Sequence, residues 1–436
     1  MFENRKYQNK AVDDIVRCID NYKKPSLAVL PTAAGKSLII SQAIRAANDI
    51  STLVIQPSKE LLKQNYAKFV KIGGKASIYS ASAKSKEVGK ITFATPGSIK
   101  DKARLFQHVK LVIIDEAHLG VGSLGMIDKF IKQLDNVKVI GLTATPIKLK
   151  TYRGFHQLNI LTRMRPRFWA DIIHVTQVKE LYDGSYITPL RYSIFNTSVR
   201  NASRSGSDFD MTAVSTIIQK EGIMGLMTNL LNKSLARGKK KILIFMPSVK
   251  EAYQLQKAVP NIAVVASDTK DKEREEIVDN FVNGDLKVIV NYGVFLTGFD
   301  CPEIDLIICL RPTMSFAIWY QLIGRGIRKA TGKTVCDVID LSGNYETFGD
   351  IKDLTFEKHQ DYGWGMFTKN ILMTGIPLGS EKKKEDFDKI AFGKYDGTRF
   401  KDLPQYYLNF LINDFDLSTN YAKTNIVPHL KKLNLI

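Results

Sequence analysis

Short, mostly apolar, strand-like runs recur through the first third of the chain: Leu27 to Leu30, Leu53 to Ile55, Ala76 to Tyr79, Ile91 to Ala94, Leu111 to Ile114 and Val137 to Leu142. Runs of that length predict strands buried on both faces of a sheet. Between most of them the apolar positions fall at helical spacing, as in Val12, Ile15, Val16 and Ile19 or Leu62, Tyr66, Phe69 and Val70. The alternation predicts an α/β fold over residues 1–147, a mostly parallel sheet with helices on both faces. The rhythm breaks over residues 148–240, read as a basic linker or insert that holds a flexible loop at Asn201 to Ser207 and a helical pattern from Thr212 to Ala236. It resumes at Ile242 to Phe245, Ile262 to Val265, Val288 to Val290, Ile304 to Ile308 and Val335 to Leu341, which predicts a second α/β domain over 241–345. Residues 346–436 lack strand rhythm and are rich in Lys, Asp and aromatics. They predict a small, mainly helical C-terminal accessory region, with Glu381 to Asp386 a solvated tether.

Composition narrows the class. A chain of 436 residues, 44% apolar and 25% charged, is a soluble globular protein of two to three domains. The excess of 63 Lys+Arg over 44 Asp+Glu, a net +19, points to a polyanionic partner, although a lysine-rich proteome gives the same balance. Cys18, Cys301, Cys309 and Cys336 form no C-x-x-C pair and read as reduced core residues, neither zinc ligands nor disulfides. The start has no signal-peptide core and no apolar run approaches membrane-spanning length, so the expectation is a cytoplasmic protein that does not engage a membrane.

The candidate chemistry sits where strands end. Pro31-Thr32-Ala33-Ala34-Gly35-Lys36-Ser37 follows one apolar run and opens a helical one, the context of a phosphate-binding loop. Backbone N–H groups would face phosphates, Lys36 would reach the terminal ones and Ser37 would hold Mg²⁺. The usual first glycine is replaced by Leu30. Asp115-Glu116-Ala117-His118 ends a second apolar run, where open α/β sheets bind ligands; Asp115 would hold Mg²⁺ and Glu116 would orient or deprotonate water. Gln8, opening the first helix, is expected near the loop. From Ile147 to Ala170 there are six basic residues and no acid, with Arg163, Arg165, Arg167 and Trp169 among aromatics. Such interleaving suits strand binding, and equally a solvated linker whose rings pack on a neighbouring domain.

In order, these stretches resemble the motifs of the superfamily 2 helicases of DEAH type, over residues 3–345. Arg5-Lys6-Tyr7-Gln8 looks like the Q motif, Pro31 to Ser37 motif I, Pro57-Ser58-Lys59 through Gln64 motif Ia, and Thr95-Pro96-Gly97 motif Ib. Asp115 to His118 looks like motif II, Thr143-Ala144-Thr145-Pro146 motif III, Phe245 to Ser248 motif IV, Thr297-Gly298-Phe299-Asp300 motif V, and Gln321 to Arg328 motif VI. The resemblance implies two RecA-like domains and an ATPase that uses ATP with Mg²⁺. Arg325 and Arg328, one helical turn apart, would act as arginine fingers from the second domain. Gln8 would read adenine, Arg5 would flank it, and Gly298 and Asp300 would meet the nucleotide. Pro57, Ser58, Lys59, Thr95, Pro96, Gly97, Ser248 and Thr297 would grip the backbone of a single strand in the cleft. His118, Thr143, Thr145 and Gln321 would couple the two events.

Within the superfamily, Gly298 to Pro302, Leu310 to Thr313 and Gly184 to Leu190 look most like the RadD type and phage helicases that remodel branched DNA. The RadD zinc element is missing, and the lysine- and asparagine-rich chain suits a phage enzyme such as the UvsW-like branch-migration helicases of T5-type phages. The partner implied is DNA, a forked or branched duplex, in replication, recombination or repair. Rival readings are an RNA helicase, which shares the DEAH sequence, the motor of a restriction system, and a clamp that binds ATP without hydrolysing it. Glu116, Arg325 and Arg328 weigh against the clamp.

Overall fold

Strands form where consecutive apolar positions let both faces be covered. A computed structural model describes residues 4–21, 24–119, 125–152, 155–293, 300–359, 363–369, 371–375, 395, 398–415, 417 and 426–436. In chain order the first strands are β1 (Ser26–Val29), β2 (Thr52–Ile55), β3 (Ser77–Ser80), β4 (Ser85–Lys86), β5 (Ile91–Ala94), β6 (Leu111–Asp115) and β7 (Lys138–Thr143). A hairpin of β8 (Ile147–Tyr152) and β9 (Phe155–Ile160) follows, then β10 (Asp171–Val175). The first sheet runs β10-β1-β7-β6-β2-β5-β3-β4, parallel except for the antiparallel β3–β4 pair at one edge. Because β7 lies between β1 and β6, the phosphate loop, the acidic pair and Thr143 emerge side by side at one carboxyl edge.

The second sheet takes β11 (Leu190–Ile194) and, after the short antiparallel pair β12 (Arg204–Ser205) and β13 (Asp208–Phe209), β14 (Ile242–Phe245), β15 (Ile262–Val265), β16 (Val288–Asn291), β17 (Leu306–Cys309) and β18 (Cys336–Asp340). Its order is β11-β18-β17-β14-β16-β15, all parallel. The helices Met211–Lys220 and Ile223–Ala236 cover one face of it through Val214, Ile218, Met227 and Leu231.

Three expectations need correction. The segment 148–240 is not a separate insert, because β10 and β11 complete the edges of the first and second sheets. Edge strands are half wet, so Asp171-Ile172-Ile173-His174-Val175 alternates buried and half-buried residues where continuous apolar runs mark interior strands. Of the expected loop at 201–207, Arg204 and Ser205 form β12 and Gly206, whose φ is +63°, turns the chain into β13, and the single helical pattern divides at Gly222, also +63°. Among its described residues the C-terminal region holds strands that the sequence reading did not foresee: β19 (Leu354–His359), β20 (Gly363–Thr368) and β21 (Ile371–Leu372) form an antiparallel meander. The helices Gln405–Asn413 and Val427–Lys432 gather beyond it on a small core of Phe400, Leu411, Ile426 and Leu430. The tether at 381–386 lies outside the described residues.

The meander folds back onto the first lobe. Trp364 Nε1 donates to Asp171 Oδ1 at 2.7 Å, Lys358 pairs with the same carboxylate at 3.1 Å, and the Gln177 amide bonds both backbone groups of Phe356 at 2.8 and 3.1 Å. All four cysteines are buried and free. Among the described residues no helix is long and apolar enough to cross a membrane.

Candidate nucleotide site and nucleic-acid interface

The loop after β1 is shaped by two left-handed residues, Ala33 (φ +65°) and Gly35 (φ +82°), before the helix Lys36–Ala46 begins. The φ of Gly35 is one that residues with a Cβ rarely adopt, and a Cβ there would also come within 2.7 Å of Gln8 Nε2. Gln8 Nε2 and the Tyr7 hydroxyl both donate to the Ala34 carbonyl at 3.0 Å, and Gln8 Oε1 accepts from Arg5 N at 3.0 Å. The Gln8 amide therefore braces the loop from behind. Leu30 is fully buried and donates its N–H to the Thr143 carbonyl at 2.9 Å, prolonging the β1–β7 ladder where a glycine was expected.

Beside the loop, Lys36 Nζ meets Glu116 Oε1 at 2.7 Å. Asp115 Oδ1 accepts from Glu116 N at 2.9 Å, and its Oδ2 accepts from Asn65 Nδ2 at 3.0 Å. Burial, reinforced by the Glu116 charge, pushes the Asp115 carboxyl up to about 6. Burial alone would raise Glu116 as well, but the Lys36 ammonium, with His118 and Arg325, holds it below the usual carboxylate range. His118 Nδ1 lies 2.9 Å from the Thr143 hydroxyl, which also accepts from Thr145 N at 3.0 Å. Gln321 of the second lobe donates to His118 Nε2 at 3.1 Å. Burial lowers the His118 pKa, in keeping with a neutral ring protonated at Nδ1.

The second lobe brings its cations on the segment after the helix Phe316–Ile323. Arg325 and Arg328 follow that helix in turn and bend and are not part of it, a correction to the reading of one helical turn. Gly326 between them lies so close to Cys336 that a Cβ would sit 2.5 Å from its Sγ. Arg325 is 6% exposed, and burial, then the neighbouring Arg328 charge, lowers it to about 9. Arg328 pairs with Asp300, whose other oxygen accepts from Gln64 of the first lobe at 3.3 Å. Between the lobes is a cavity of about 320 Å³ lined by Arg5, Thr32, Ala33, Gly35, Lys36, Ser37, Asp115, Glu116, Tyr186, Asp300, Gln321, Arg325 and Arg328. The sequence reading missed Asn65, although it adjoins Gln64, and did not single out Tyr186.

The other expected contacts fall into three groups. Ser58, Thr95 and Ser248 each stand before a helix after β2, β5 and β14, with Pro57, Lys59, Pro96 and Gly97 beside them. Such helix starts present N–H groups to anions. Thr297 and Gly298 lie outside the described residues. Trp169 is overturned as a base platform: it is fully buried, edge-on to Phe168 at 4.9 Å, and packed so closely over β7 that a Cβ at Gly141 would lie 2.5 Å from its ring. Arg163 is half-buried, whereas Arg165 and Arg167 are exposed, the latter donating to the carbonyls of Trp169 and Ala170.

Residues 1–148 match the family described as type III restriction enzyme, res subunit, and residues 224–330 match the helicase conserved C-terminal domain. These two matches, with the relatives that follow, support a superfamily 2 helicase. It is 26% identical to IRC3 of Saccharomyces cerevisiae, named as a candidate ATP-dependent helicase, over 78% of this chain and 51% of that one. The chain thus spans about half the length of that relative. It is 26% identical to a 51.5 kDa protein of Lactococcus phage (77% and 69% covered) and 25% identical to the DNA 3'-5' translocase XPB2 of Sulfurisphaera tokodaii (75% and 79%). Two solved structures share the fold: the type ISP restriction-modification enzyme LlaBIII bound to DNA (TM-score 0.58, 16% identity, 78% of this chain, 27% of that one) and Dbp5 of S. cerevisiae bound to RNA and ADP BeF3 (0.53, 17%, 78% and 84%).

Proposed function

We propose that this superfamily 2 chain is an ATP-dependent DNA translocase that unwinds or branch-migrates forked and junction DNA. The observation that carries the reading is the division of one charge set between two lobes: Lys36, Asp115 and Glu116 on the first, Arg325 and Arg328 on the second, around a single cavity. Negative charge growing on a transferring phosphoryl group needs cations on both sides, and a site divided this way has them only when the cleft is closed.

The residues fit ATP with Mg²⁺. The first turn of the helix Lys36–Ala46 leaves N–H groups without intrahelical partners, a cradle for phosphate oxygens. Ser37 and Asp115 would hold Mg²⁺, a cation that takes few protein ligands and keeps several waters; among the described residues no three His, Cys, Asp or Glu side chains gather as a metal cluster. When bound, Mg²⁺ would supply charge neutralisation at the phosphates. Lys36 then exchanges Glu116 for phosphate, which frees the Glu116 carboxylate to orient and deprotonate the attacking water. His118, held between Thr143 and Gln321, spans the two lobes and reports that exchange to the loop Thr143–Thr145. On the nucleic-acid side, the helix starts at Ser58, Thr95 and Ser248 hold phosphates of one strand, so closure of the cleft shifts that strand.

The net +19 suits either nucleic acid; DNA is favoured by the relative named as a DNA translocase, and RNA is the second reading, favoured by the fold shared with Dbp5 bound to RNA. The branched substrate rests on the exposed Arg165 and Arg167 outside the cleft, which could hold a second duplex arm. The test is ATPase turnover with single-stranded DNA, RNA, linear duplex and four-way DNA at matched salt. Strongest stimulation by the four-way junction is expected. Equal stimulation by single-stranded DNA, with no junction unwinding, removes the branched reading, and stimulation by RNA alone replaces DNA.

A further inference from the structure

The link between the lobes touches the nucleotide cavity and the arginine segment within three residues. Tyr186 is the one aromatic residue among the described residues that line the cavity. Its ring is held from several sides: the Arg5 guanidinium stands 4.5 Å from its centroid, Tyr7 lies 5.6 Å away, and Gly184 is so close beneath it that a Cβ would come within 2.3 Å. The strained turn at Ser185, φ +52°, aims it there. Two residues on, Thr188 is buried at 1% exposure and makes two bonds to the second lobe. Its N–H donates to the Ile327 carbonyl at 2.7 Å and its hydroxyl to the Arg328 carbonyl at 3.0 Å. The Arg328 carbonyl accepts in addition from Lys333 Nζ at 2.9 Å.

Tyr186 and Thr188 stand two residues apart in the short link, bent at Ile187, that leads through Pro189 into β11. A shift of the ring against a bound base therefore pulls on the backbone that carries Arg328. We propose that Tyr186 is the stacking wall for the nucleobase and that Thr188 is a positioning residue for Arg328, so that this link makes arginine placement depend on an occupied base site. The assignment rests on the ATPase reading above. It gives the link a role beyond joining two domains: a triphosphate without a base fills the phosphate end of the cavity and leaves Arg328 unadjusted.

The experiment has two arms, both on the full chain with DNA present. In the first, competition against a fluorescent nucleotide measures binding of ATP and of inorganic tripolyphosphate to wild type and Tyr186→Ala. Loss of one stacked face should weaken ATP on the order of tenfold and leave tripolyphosphate unchanged. Equal weakening of both ligands, or of neither, overturns the wall. In the second, steady-state hydrolysis is compared for Thr188→Val, Thr188→Ser, Arg328→Ala and the Thr188→Val/Arg328→Ala double variant. Removing one of two donors to the Arg328 carbonyl should lower kcat about three- to tenfold with KM within twofold, and serine should restore it. Because Thr188 acts through Arg328, the double variant should be no slower than Arg328→Ala alone. Additive losses, a change confined to KM, or no rescue by serine overturns the positioning role. If Thr188→Val melts early, Thr188→Ser against wild type still decides, since loss of activity with the hydroxyl retained contradicts the proposal. A wild type that hydrolyses no ATP with any nucleic acid fails the functional reading instead, a result separate from either arm.

Discussion

Lys36 and Glu116 neutralise each other across 2.7 Å in a pocket where both side chains are about 15% exposed. Neither is a surface ion pair, so removing one leaves the other buried without its counter-charge. Lys36→Ala is therefore expected to abolish ATP hydrolysis while nucleic-acid binding without nucleotide survives, checked by a phosphate-release assay beside a gel-shift titration. A second residue sets a pH dependence. His174 of β10 is buried, with Nδ1 2.8 Å from Asp14 and Nε2 2.8 Å from Thr176, and burial lowers its pKa against the opposing pull of Asp14 and Glu180, while Lys10 reinforces the lowering. A histidine whose folded pKa lies below the unfolded value of about 6.5 stabilises the fold fully above that pH and loses the contribution as pH falls from there through the folded value. Urea midpoints should therefore drop between about pH 8 and about pH 5.5, and His174→Gln should flatten that drop; an unchanged slope would assign it to other groups. Lys36, Ser37, Asp115 and Glu116 were legible because their chemistry needs fixed residue types directly after strands. Asn65 and Thr188 were not, because what defines them is a partner 50 or 140 residues away.

At the scale of elements, strands that are continuous apolar runs could be read, the edge strand β15 among them, and the half-wet edge strands β10 and β11 could not. β6, buried at all five positions, announces itself as a continuous apolar run, whereas β11 reads Leu-Arg-Tyr-Ser-Ile with no fully buried residue. The same blindness misplaced Trp169, which in sequence stands among arginines and in space fills the layer over Gly141. Trp169→Ala should therefore cost about 3–5 kcal/mol of stability. It should leave the salt dependence of DNA binding unchanged, which separates a core role from a DNA contact. The meander β19–β21 escaped notice because a sheet with one wet face shows only alternation, and Leu354 and Phe356 are the buried positions of β19. Asp171→Ala removes the acceptor of both Lys358 and Trp364. Amide exchange in β19 and β20 should accelerate while β1 and β6 stay protected; uniform acceleration would mean that the meander is not held locally.

For the whole molecule, two α/β sheets in sequence were predictable from rhythm alone, but their apposition was not. That apposition depends on contacts between the lobes: Gln321 on His118, Gln64 on Asp300, Lys59 with Glu275 at 3.5 Å, and Gly324 packed against Thr32. These place Arg325 beside Glu116 and Lys36 at one cavity. The central claim is that hydrolysis needs both lobes at once, and it is tested most directly by ATP turnover and ATP affinity of Arg325→Ala measured together in saturating DNA. Turnover should fall by a factor on the order of 10³ with affinity within several-fold, since the arginine meets charge that develops only in the transition state. Turnover unchanged with affinity strongly reduced would make Arg325 a ground-state ligand and contradict the account.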